Sequence, residues 1–317
     1  MTGYDCLLRC RYCLVKKNKD KFMAWPIYLR VLELLKKIKF NNIIVTFHGG
    51  EPLLYYKNIY KFINLAKQIN KKIDFSLVTN GLLLNEKTLE FFKKVNLNLS
   101  LSLDGDYQSQ LKNRTTENIE QQKYQKSLDT AINLLLNNYD KNCLQVYMVV
   151  ASNTVEQLID NVNYLIKLGF DKISFDFAFG QIWSEKSIEV FKEKIIDLAK
   201  MNLPIFNYSK IDLLRYAILS QQDKKLIKQL RDDLNSENKF LCIDYNGDIF
   251  SEEIFIEKLK NENYLTNILH LDNFDSLKTK WFKLEQLLDE KYFAKEIIKS
   301  ETELAKIMFD FVKNNYV

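Results

Sequence analysis

Short apolar runs alternate with longer segments of helical period over the first 180 residues. The apolar runs are rich in Val, Ile, Leu and Phe and have the length of buried strands. We predict strands at 43–47, 73–78, 97–103, 144–151 and 172–177, and helices at 27–39, 58–70, 86–95, 119–137 and 155–168. Strands that alternate with helices favour a parallel sheet with right-handed crossovers, whose sites lie at the carboxyl ends of the strands.

The second half of the chain has a different, mostly helical pattern. Helical period covers 186–201 and 211–234, and an amphipathic helix with Lys and Glu faces is predicted over 255–317. Two short apolar runs flank Asn246-Gly247, a dipeptide typical of a tight hairpin turn. We therefore predict an α/β domain over 1–180 and a helical extension over 181–317, with a hairpin at about 239–253.

Composition and charge exclude several classes of protein. Of the 317 residues, 47% are hydrophobic and 13% are aromatic, which is too many for a disordered chain. No apolar run approaches the length of a membrane span, and the N-terminus lacks the apolar region of a secretory signal. The net charge of +5 is spread along the chain and indicates a mildly basic surface. We expect a cytoplasmic protein without a nucleic-acid or membrane partner.

Three of the five cysteines, Cys6, Cys10 and Cys13, lie within eight residues. Three thiolates this close suit a shared metal centre, and they are one ligand short of a closed tetrahedral zinc site. On a [4Fe–4S] cluster, three cysteines leave one iron open to another ligand. The other two, Cys143 and Cys242, fall inside predicted strands, where a small buried hydrophobic residue is the ordinary interpretation. The odd number and the lack of a signal favour a reducing compartment.

The spacing Cys6-x3-Cys10-x2-Cys13, with Tyr12 before the last cysteine, resembles the signature of the radical SAM enzymes. In that family the thiolates hold a [4Fe–4S] cluster whose open iron chelates S-adenosylmethionine. One electron cleaves that cofactor to a 5′-deoxyadenosyl radical, which abstracts hydrogen from the substrate while the protein places the reactants and excludes water. The resemblance implies one cluster, S-adenosylmethionine, and a partial (β/α)6 TIM-type barrel with a C-terminal hairpin-plus-helices extension.

Further motifs with the same resemblance follow the predicted strands. Gly49-Gly50-Glu51-Pro52 matches the family motif that binds the cofactor's amino group, and its glycines allow close approach of a ligand to the backbone. In the sulfatase-maturase branch, a Ser and an Arg spaced like Ser102 and Arg114 bind the cofactor's carboxylate, which a guanidinium suits. For Arg114 a surface loop arginine is the alternative. The resemblance implies cofactor contacts by Tyr12, Gly49, Gly50, Glu51, Asn80, Ser102, Asp104 and Arg114.

The hairpin resembles a region that carries an auxiliary cluster in peptide-modifying members of the family. Those members have Gly-Asp-x-x-Pro-Cys, whereas here Glu252 stands in place of the cysteine. Two remaining thiols cannot furnish a four-cysteine site, so we expect a degenerate SPASM/twitch region without a second cluster. The resemblance makes Glu253 the counterpart of a catalytic aspartate and Cys242 a candidate hydrogen-atom donor. A solvated turn glutamate and a small buried residue are the alternatives.

The chain departs from the family at its start, because only Met1 to Asp5 precede Cys6. Either the first strand is very short, the start site is misassigned, or the barrel edge is open or paired otherwise. We also expect no peptide-recognition domain ahead of the barrel.

Three functions remain open. The first is a radical SAM enzyme of peptide maturation, with crosslinking or epimerisation of a peptide or protein substrate as examples. The second is a radical SAM enzyme that acts on a small molecule, and the third is a non-catalytic metal-binding interaction protein. The first implies a flavodoxin- or ferredoxin-type reductant, and a separate peptide-recognition protein is a further candidate partner. An acidic reductant would dock on the basic residues Arg9, Arg11, Lys16 and Lys17 around the cysteines.

Overall fold

The computed structural model describes residues 1–117, 119–201, 203, 206, 208, 216–217, 219–220, 222, 224–237, 241–250, 264–270 and 295–315. The chain divides into two compact units. The first contains Met1–Ser102, Thr115–Gln145 and Phe240–Trp281, and the second contains Leu103–Arg114, Val146–Lys239 and Phe282–Val317. The domain boundary that the sequence places at residue 180 stays a prediction.

The described structure contains the strands and helices predicted over the first 180 residues, together with short elements that the periodicity did not predict. The strands are β1 (Gly3–Tyr4), β2 (Arg9–Cys10), β3 (Asn18–Phe22), β4 (Asn42–Phe47), β5 (Lys72–Thr79), β6 (Asn98–Ser102), β7 (Arg114–Thr115), β8 (Leu144–Val150), β9 (Ile173–Phe177), β10 (Cys242–Ile243), β11 (Asp248–Phe250) and β12 (Tyr264–Asn267). The helices are α1 (Trp25–Lys37), α2 (Tyr56–Ala66), α3 (Glu86–Val95), α4 (Tyr107–Asn113), α5 (Gln121–Asn138), α6 (Leu158–Leu168), α7 (Glu185–Met201), α8 (Lys224–Glu237) and α9 (Lys295–Asn315). The strands and helices predicted over the first 180 residues are thus confirmed, with ends shifted by a few residues.

The main sheet has five strands in the order β4, β5, β6, β8, β9. In the first unit, β5 pairs in parallel with β4 and with β6, and in the second unit β8 pairs in parallel with β9. Leu77, Leu99 and Leu101 on β5 and β6 are fully buried, as expected for strands covered by helices. Because β4, β5 and β6 run in the same direction, their carboxyl ends meet at one edge of the sheet. The motif residues follow these ends.

The first strand is very short and pairs outside the main sheet. β1 pairs antiparallel with β3, with Gly3 opposite Phe22 and Tyr4 opposite Asn18. Residues 2–5 also bond to the turn after β4, since Gly50 N donates to Gly3 O at 2.8 Å and Glu51 N donates to Asp5 O at 2.7 Å. The sequence did not reveal β3, because this strand is polar and mostly exposed.

The predicted hairpin is confirmed, but part of the helix predicted after it is not. β10 and β11 pair antiparallel around Asn246-Gly247. The prediction of helix over 255–317 is wrong at Tyr264–Asn267, which forms β12 and pairs antiparallel with β11. The open edge of β11 supplies hydrogen-bond partners that periodicity cannot show, and the Asn267 side chain donates to Asp248 at 2.9 Å. Helix is confirmed over Lys295–Asn315.

The described residues of the second unit pack an aromatic core on β9. Phe175 on β9 contacts Phe311 of α9, with ring centroids 5.8 Å apart, and Phe206 at 5.4 Å. α6 ends at Gly169, whose φ of 108° is the left-handed conformation that terminates many helices. In the parts of the chain that the structure describes, no helix is both long and apolar enough to cross a membrane.

Candidate active site

The Gly-Gly turn after β4 is packed against the chain's own first strand. A Cβ on Gly50 would lie 2.0 Å from Asp5 O, and a Cβ on Gly49 would lie 2.4 Å from Gly3 O. Gly49 also has a φ of 139°, which favours glycine. The sequence suggested that these glycines allow close approach of a ligand. The structure shows that they allow close approach of residues 3–5, which begin the cysteine loop.

Glu51 is a buried carboxylate that neutral donors hold in place. Glu51 is only 1% exposed. Oε1 accepts hydrogen bonds from Leu53 N at 3.0 Å and Thr79 Oγ1 at 2.7 Å, and Oε2 accepts from Asn80 N at 2.9 Å. Burial raises the pKa of Glu51, and these hydrogen bonds oppose the rise. A buried carboxylate with neutral donors suits a cationic ligand such as an ammonium group.

Asn80 connects Glu51 to the cysteine loop. Its backbone N–H donates to Glu51, and its side-chain Nδ2 donates to Cys6 Sγ at 3.6 Å. Cys6 Sγ also accepts from Leu8 N at 3.3 Å. Burial raises the pKa of the Cys6 thiol, and the charge of Lys17 acts in the opposite direction. The structure therefore brings together one predicted cluster ligand and two predicted cofactor contacts.

The cysteine loop contains three thiols that could ligate a cluster, but in the described residues they are not arranged around one point. Cys10 and Cys13 are partly exposed and joined by a turn in which Cys13 N donates to Cys10 O at 3.0 Å. Lys17 Nζ lies 3.0 Å from Cys13 Sγ. Among the described residues, no three His, Cys, Asp or Glu side chains stand together as a ready metal site. Three thiols on one short loop nevertheless fit the donor set of a [4Fe–4S] cluster with one open iron.

Arg114 is buried and paired, which excludes the surface-arginine interpretation. In the second unit its Nη2 lies 2.8 Å from Asp104 Oδ1, and the two side chains are 7% and 1% exposed. Asp104 Oδ1 also accepts from Val149 N at 2.9 Å. Ser102 ends β6 in the first unit and is partly buried. Arg114 is thus held by Asp104, and the cofactor contacts of Ser102, Asp104 and Arg114 stay predictions.

The remaining predicted residues have varied surroundings. Tyr12 is partly buried on the cysteine loop. Cys242 is 6% exposed in an apolar cluster with Met1, Tyr4, Val15 and Phe250, against which Cys13 packs. Cys143 lies in a 3-10 helix before β8, so its placement inside a strand was wrong. Glu252 and Glu253 lie outside the described residues.

Arg9 and Lys17 make contacts in the cysteine loop that the sequence did not predict. Arg9 Nη1 donates to Cys6 O at 2.7 Å, and Arg9 Nε lies 3.0 Å from Glu117 Oε2. A cavity of about 550 Å³ beside the loop is lined by Cys6, Arg9, Lys17 and Glu117, among others. Arg9 therefore braces the loop. Basic character was visible in the sequence, but the partners of each basic residue were not.

Residues 2–150 match the model of the radical SAM superfamily. The chain carries a radical SAM domain. The match begins before the cysteine loop and ends at the last residue of β8, so it includes the glutamate turn and the Ser102, Asp104 and Arg114 positions. The predicted assignment to the radical SAM enzymes is confirmed.

Curated relatives match this radical SAM chain over different lengths. An uncharacterized protein of Methanocaldococcus jannaschii, MJ0907, is 26% identical over 237 residues, which cover 72% of this chain and 79% of that protein. The cysteine-type anaerobic sulfatase-maturating enzyme of Clostridium novyi is 36% identical over 112 residues, or 32% of this chain and 30% of that enzyme. Similarity to the maturase therefore spans less than a third of its length.

Solved structures resemble the chain more completely. Native anSMEcpe with bound AdoMet has a TM-score of 0.70 at 17% identity, with 100% of this chain and 98% of that chain covered. Streptococcus suis SuiB bound to precursor peptide SuiA has a TM-score of 0.59 at 17% identity, with coverage of 90% and 64%. These likenesses confirm the predicted fold class, a mixed α/β fold with a partial TIM-type barrel.

Proposed function

We propose that this radical SAM enzyme binds one [4Fe–4S] cluster through Cys6, Cys10 and Cys13, binds S-adenosylmethionine beside Glu51, and abstracts hydrogen from a peptide or protein. The observation that carries the proposal is the hydrogen-bonded path from Glu51 through Asn80 to Cys6. This path connects a carboxylate that suits an amino group with a thiol that suits iron. A cofactor that binds an open iron through its amino-acid portion needs both groups close together.

The proposed roles of the chain's own residues follow from their surroundings. When bound, the cluster supplies one electron and S-adenosylmethionine supplies the hydrogen-abstracting group, as in the family. Glu51 holds the cofactor's ammonium group, because its carboxylate is buried and fixed by three donors. Asn80 positions Glu51 and Cys6 relative to each other through its hydrogen bonds to both. Arg114 supplies a buried positive charge for the cofactor's carboxylate, with Asp104 orienting its guanidinium.

A peptide or protein substrate is the finer part of the proposal. SuiB, one of the structural neighbours, is bound to a precursor peptide. The sulfatase-maturating relative acts, by its name, on a protein. By analogy with these two proteins, we propose that this enzyme modifies a ribosomally made peptide or a protein side chain. Glu253 as a base and Cys242 as a hydrogen-atom donor stay proposals, and the buried position of Cys242 equally fits a packing role.

The proposed partners and location are a flavodoxin- or ferredoxin-type reductant, a separate peptide-recognition protein and the cytoplasm. Arg9 is engaged with Glu117 and with the loop backbone, so the exposed Arg11 and Lys16 are the better candidates to contact an acidic reductant. Salt should slow reduction by such a protein but not reduction by dithionite.

The substrate proposal can be tested by deuterium transfer. Peptides encoded by small open reading frames beside the gene would be made with deuterated side chains and incubated with reconstituted enzyme, reductant and S-adenosylmethionine. The proposal predicts deuterium in 5′-deoxyadenosine and a mass change in one peptide. Deuterium transfer from a small-molecule metabolite pool, with none from any neighbouring peptide, would contradict it.

A further inference from the structure

Within the Lys16-Lys17-Asn18-Lys19 segment, Lys17 contacts the cysteine loop through its ammonium group. Its side chain is partly buried, whereas Lys16 and Lys19 are exposed. Its ammonium Nζ lies 3.0 Å from Cys13 Sγ. This distance is that of a charge-assisted hydrogen bond from nitrogen to sulfur.

The backbone fixes the position of Lys17. β3 pairs with β1 so that Asn18 lies opposite Tyr4, which places Lys17 beside the strand that leads into Cys6. Lys17 and Cys6 line the same cavity. The Lys17 ammonium thus contacts one predicted cluster ligand, Cys13, and Lys17 lines a cavity with another, Cys6.

We propose that Lys17 is a positioning residue that raises the reduction potential of the cluster through its hydrogen bond to Cys13 Sγ. The inference rests on the proposed function, because it needs Cys13 to ligate the cluster. Reduction adds one electron from an external one-electron donor and makes the cluster more negative. A nearby ammonium stabilises that added charge, and hydrogen bonds to ligand sulfurs are among the features that set cluster potentials.

The test compares Lys17→Met with wild type, with Lys17→Arg as the charge-conserving variant and Lys19→Met as the matched control. Lys19 carries the same charge, lines the same cavity and is exposed. Each protein is reconstituted anaerobically and its iron and sulfide are counted. The cluster is then titrated with dithionite against mediator dyes, and the reduced fraction is read by electron paramagnetic resonance.

We expect equal iron in all four proteins. At the potential where wild type is half reduced, Lys17→Met should have a reduced-to-oxidised ratio about tenfold lower, which corresponds to ~59 mV for one electron. Lys19→Met should stay within about twofold because its charge is screened by solvent. Lys17→Arg should recover most of the ratio, since a guanidinium keeps the charge and the donors.

Two outcomes would overturn the role of Lys17 alone. One is a Lys17→Met protein with full iron and an unchanged ratio. The other is a Lys17→Met protein that loses its iron while Lys17→Arg keeps both iron and ratio, since Lys17 would then retain the cluster rather than tune it. Failure of the proposed function looks different, because wild type itself would then bind no iron–sulfur cluster.

Discussion

Glu51 and Cys13 belong to the same unit, yet the structure prepares them to different extents. Glu51 is buried and has three hydrogen-bond donors at 2.7–3.0 Å. Cys13 is partly exposed, and the described residues hold no gathered group of metal ligands. A buried carboxylate must be satisfied within the protein, whereas neighbouring thiolates repel each other until a metal joins them. We infer that the proposed amino-group site around Glu51 is pre-formed, and we propose that the cysteine loop takes its final geometry when the cluster binds.

Removing one thiol from the cysteine loop should abolish activity. Cys10→Ala should remove the cluster and all cleavage of S-adenosylmethionine while leaving the fold intact, because Cys10 is partly exposed and alanine is smaller than cysteine. Iron content, visible absorption and a thermal unfolding curve would be measured together. Cys143→Ala, at a partly exposed cysteine outside the cysteine loop, is the control and should keep its iron. A Cys10→Ala protein with normal iron would disprove the ligand assignment.

A substitution in the Gly49-Gly50 turn should act differently, by destabilising the folded protein. Gly50→Ala would place a Cβ 2.0 Å from Asp5 O, a backbone atom that cannot move aside. We expect a loss of more than about 3 kcal/mol in the free energy of unfolding, measured with denaturant. Gly81→Ala should cost less, because its Cβ would meet the movable Leu101 Cδ1 at 2.8 Å, although its φ of 83° adds strain. Equal stability of Gly50→Ala and wild type would show that the turn does not press on residues 3–5.

Glu51→Gln should separate cofactor binding from cluster binding. The amide keeps the shape of the side chain but removes the charge, so we expect about 10- to 100-fold weaker binding of S-adenosylmethionine with normal iron. Glu90→Gln on the exposed face of α3 is the control. Because burial raises the pKa of Glu51, wild-type affinity should also rise with pH as this carboxyl ionises. Unchanged affinity in Glu51→Gln, measured by equilibrium dialysis, would end the assignment.

A second buried carboxyl group, that of Glu301, lies in the other unit and can be compared with Glu51. It is fully buried and accepts from Gly180 N at 2.6 Å, but its Oε2 has no hydrogen-bond partner among the described residues. Burial, with a smaller effect from Asp176, raises the pKa of Glu301 to about 7. The folded state therefore favours the protonated form, so stability should be highest below about pH 4.5 for this group and fall as pH rises to 7.

Glu301→Gln tests this pH dependence. The variant keeps an acceptor for Gly180 N and cannot ionise, so it should be more stable than wild type at pH 8 by on the order of 2 kcal/mol. At pH 5 the two proteins should differ less, as unfolding curves at both values would show. A constant difference across that range would contradict the raised pKa.

The sequence predicted the parts of the molecule that depend on local pattern. The strand that ends at Phe47 and helix α3 were predicted from the periodicity of their apolar residues, and the structure adds that the Asn85 side chain caps α3. The spacing of the cysteines and the Gly49-Gly50-Glu51 motif likewise identified the candidate site.

The features that the sequence did not reveal depend on distant partners. β3 is polar and mostly exposed, and it becomes a strand only because β1 pairs with it. Tyr264–Asn267 becomes a strand because β11 has an edge to fill. The pairing of Arg114 with Asp104 and the contact of Lys17 with Cys13 depend on how the loops fold, which hydrophobic periodicity does not show.

We propose that one cluster and one S-adenosylmethionine meet at Cys6 and Glu51. The most direct test of this proposal is to reconstitute the protein anaerobically, count iron and sulfide per chain, add dithionite and S-adenosylmethionine, and assay 5′-deoxyadenosine. We expect about four irons per chain, as one [4Fe–4S] cluster requires, and formation of 5′-deoxyadenosine. About eight irons would contradict a single cluster, and one zinc without cofactor cleavage would contradict the catalytic site itself.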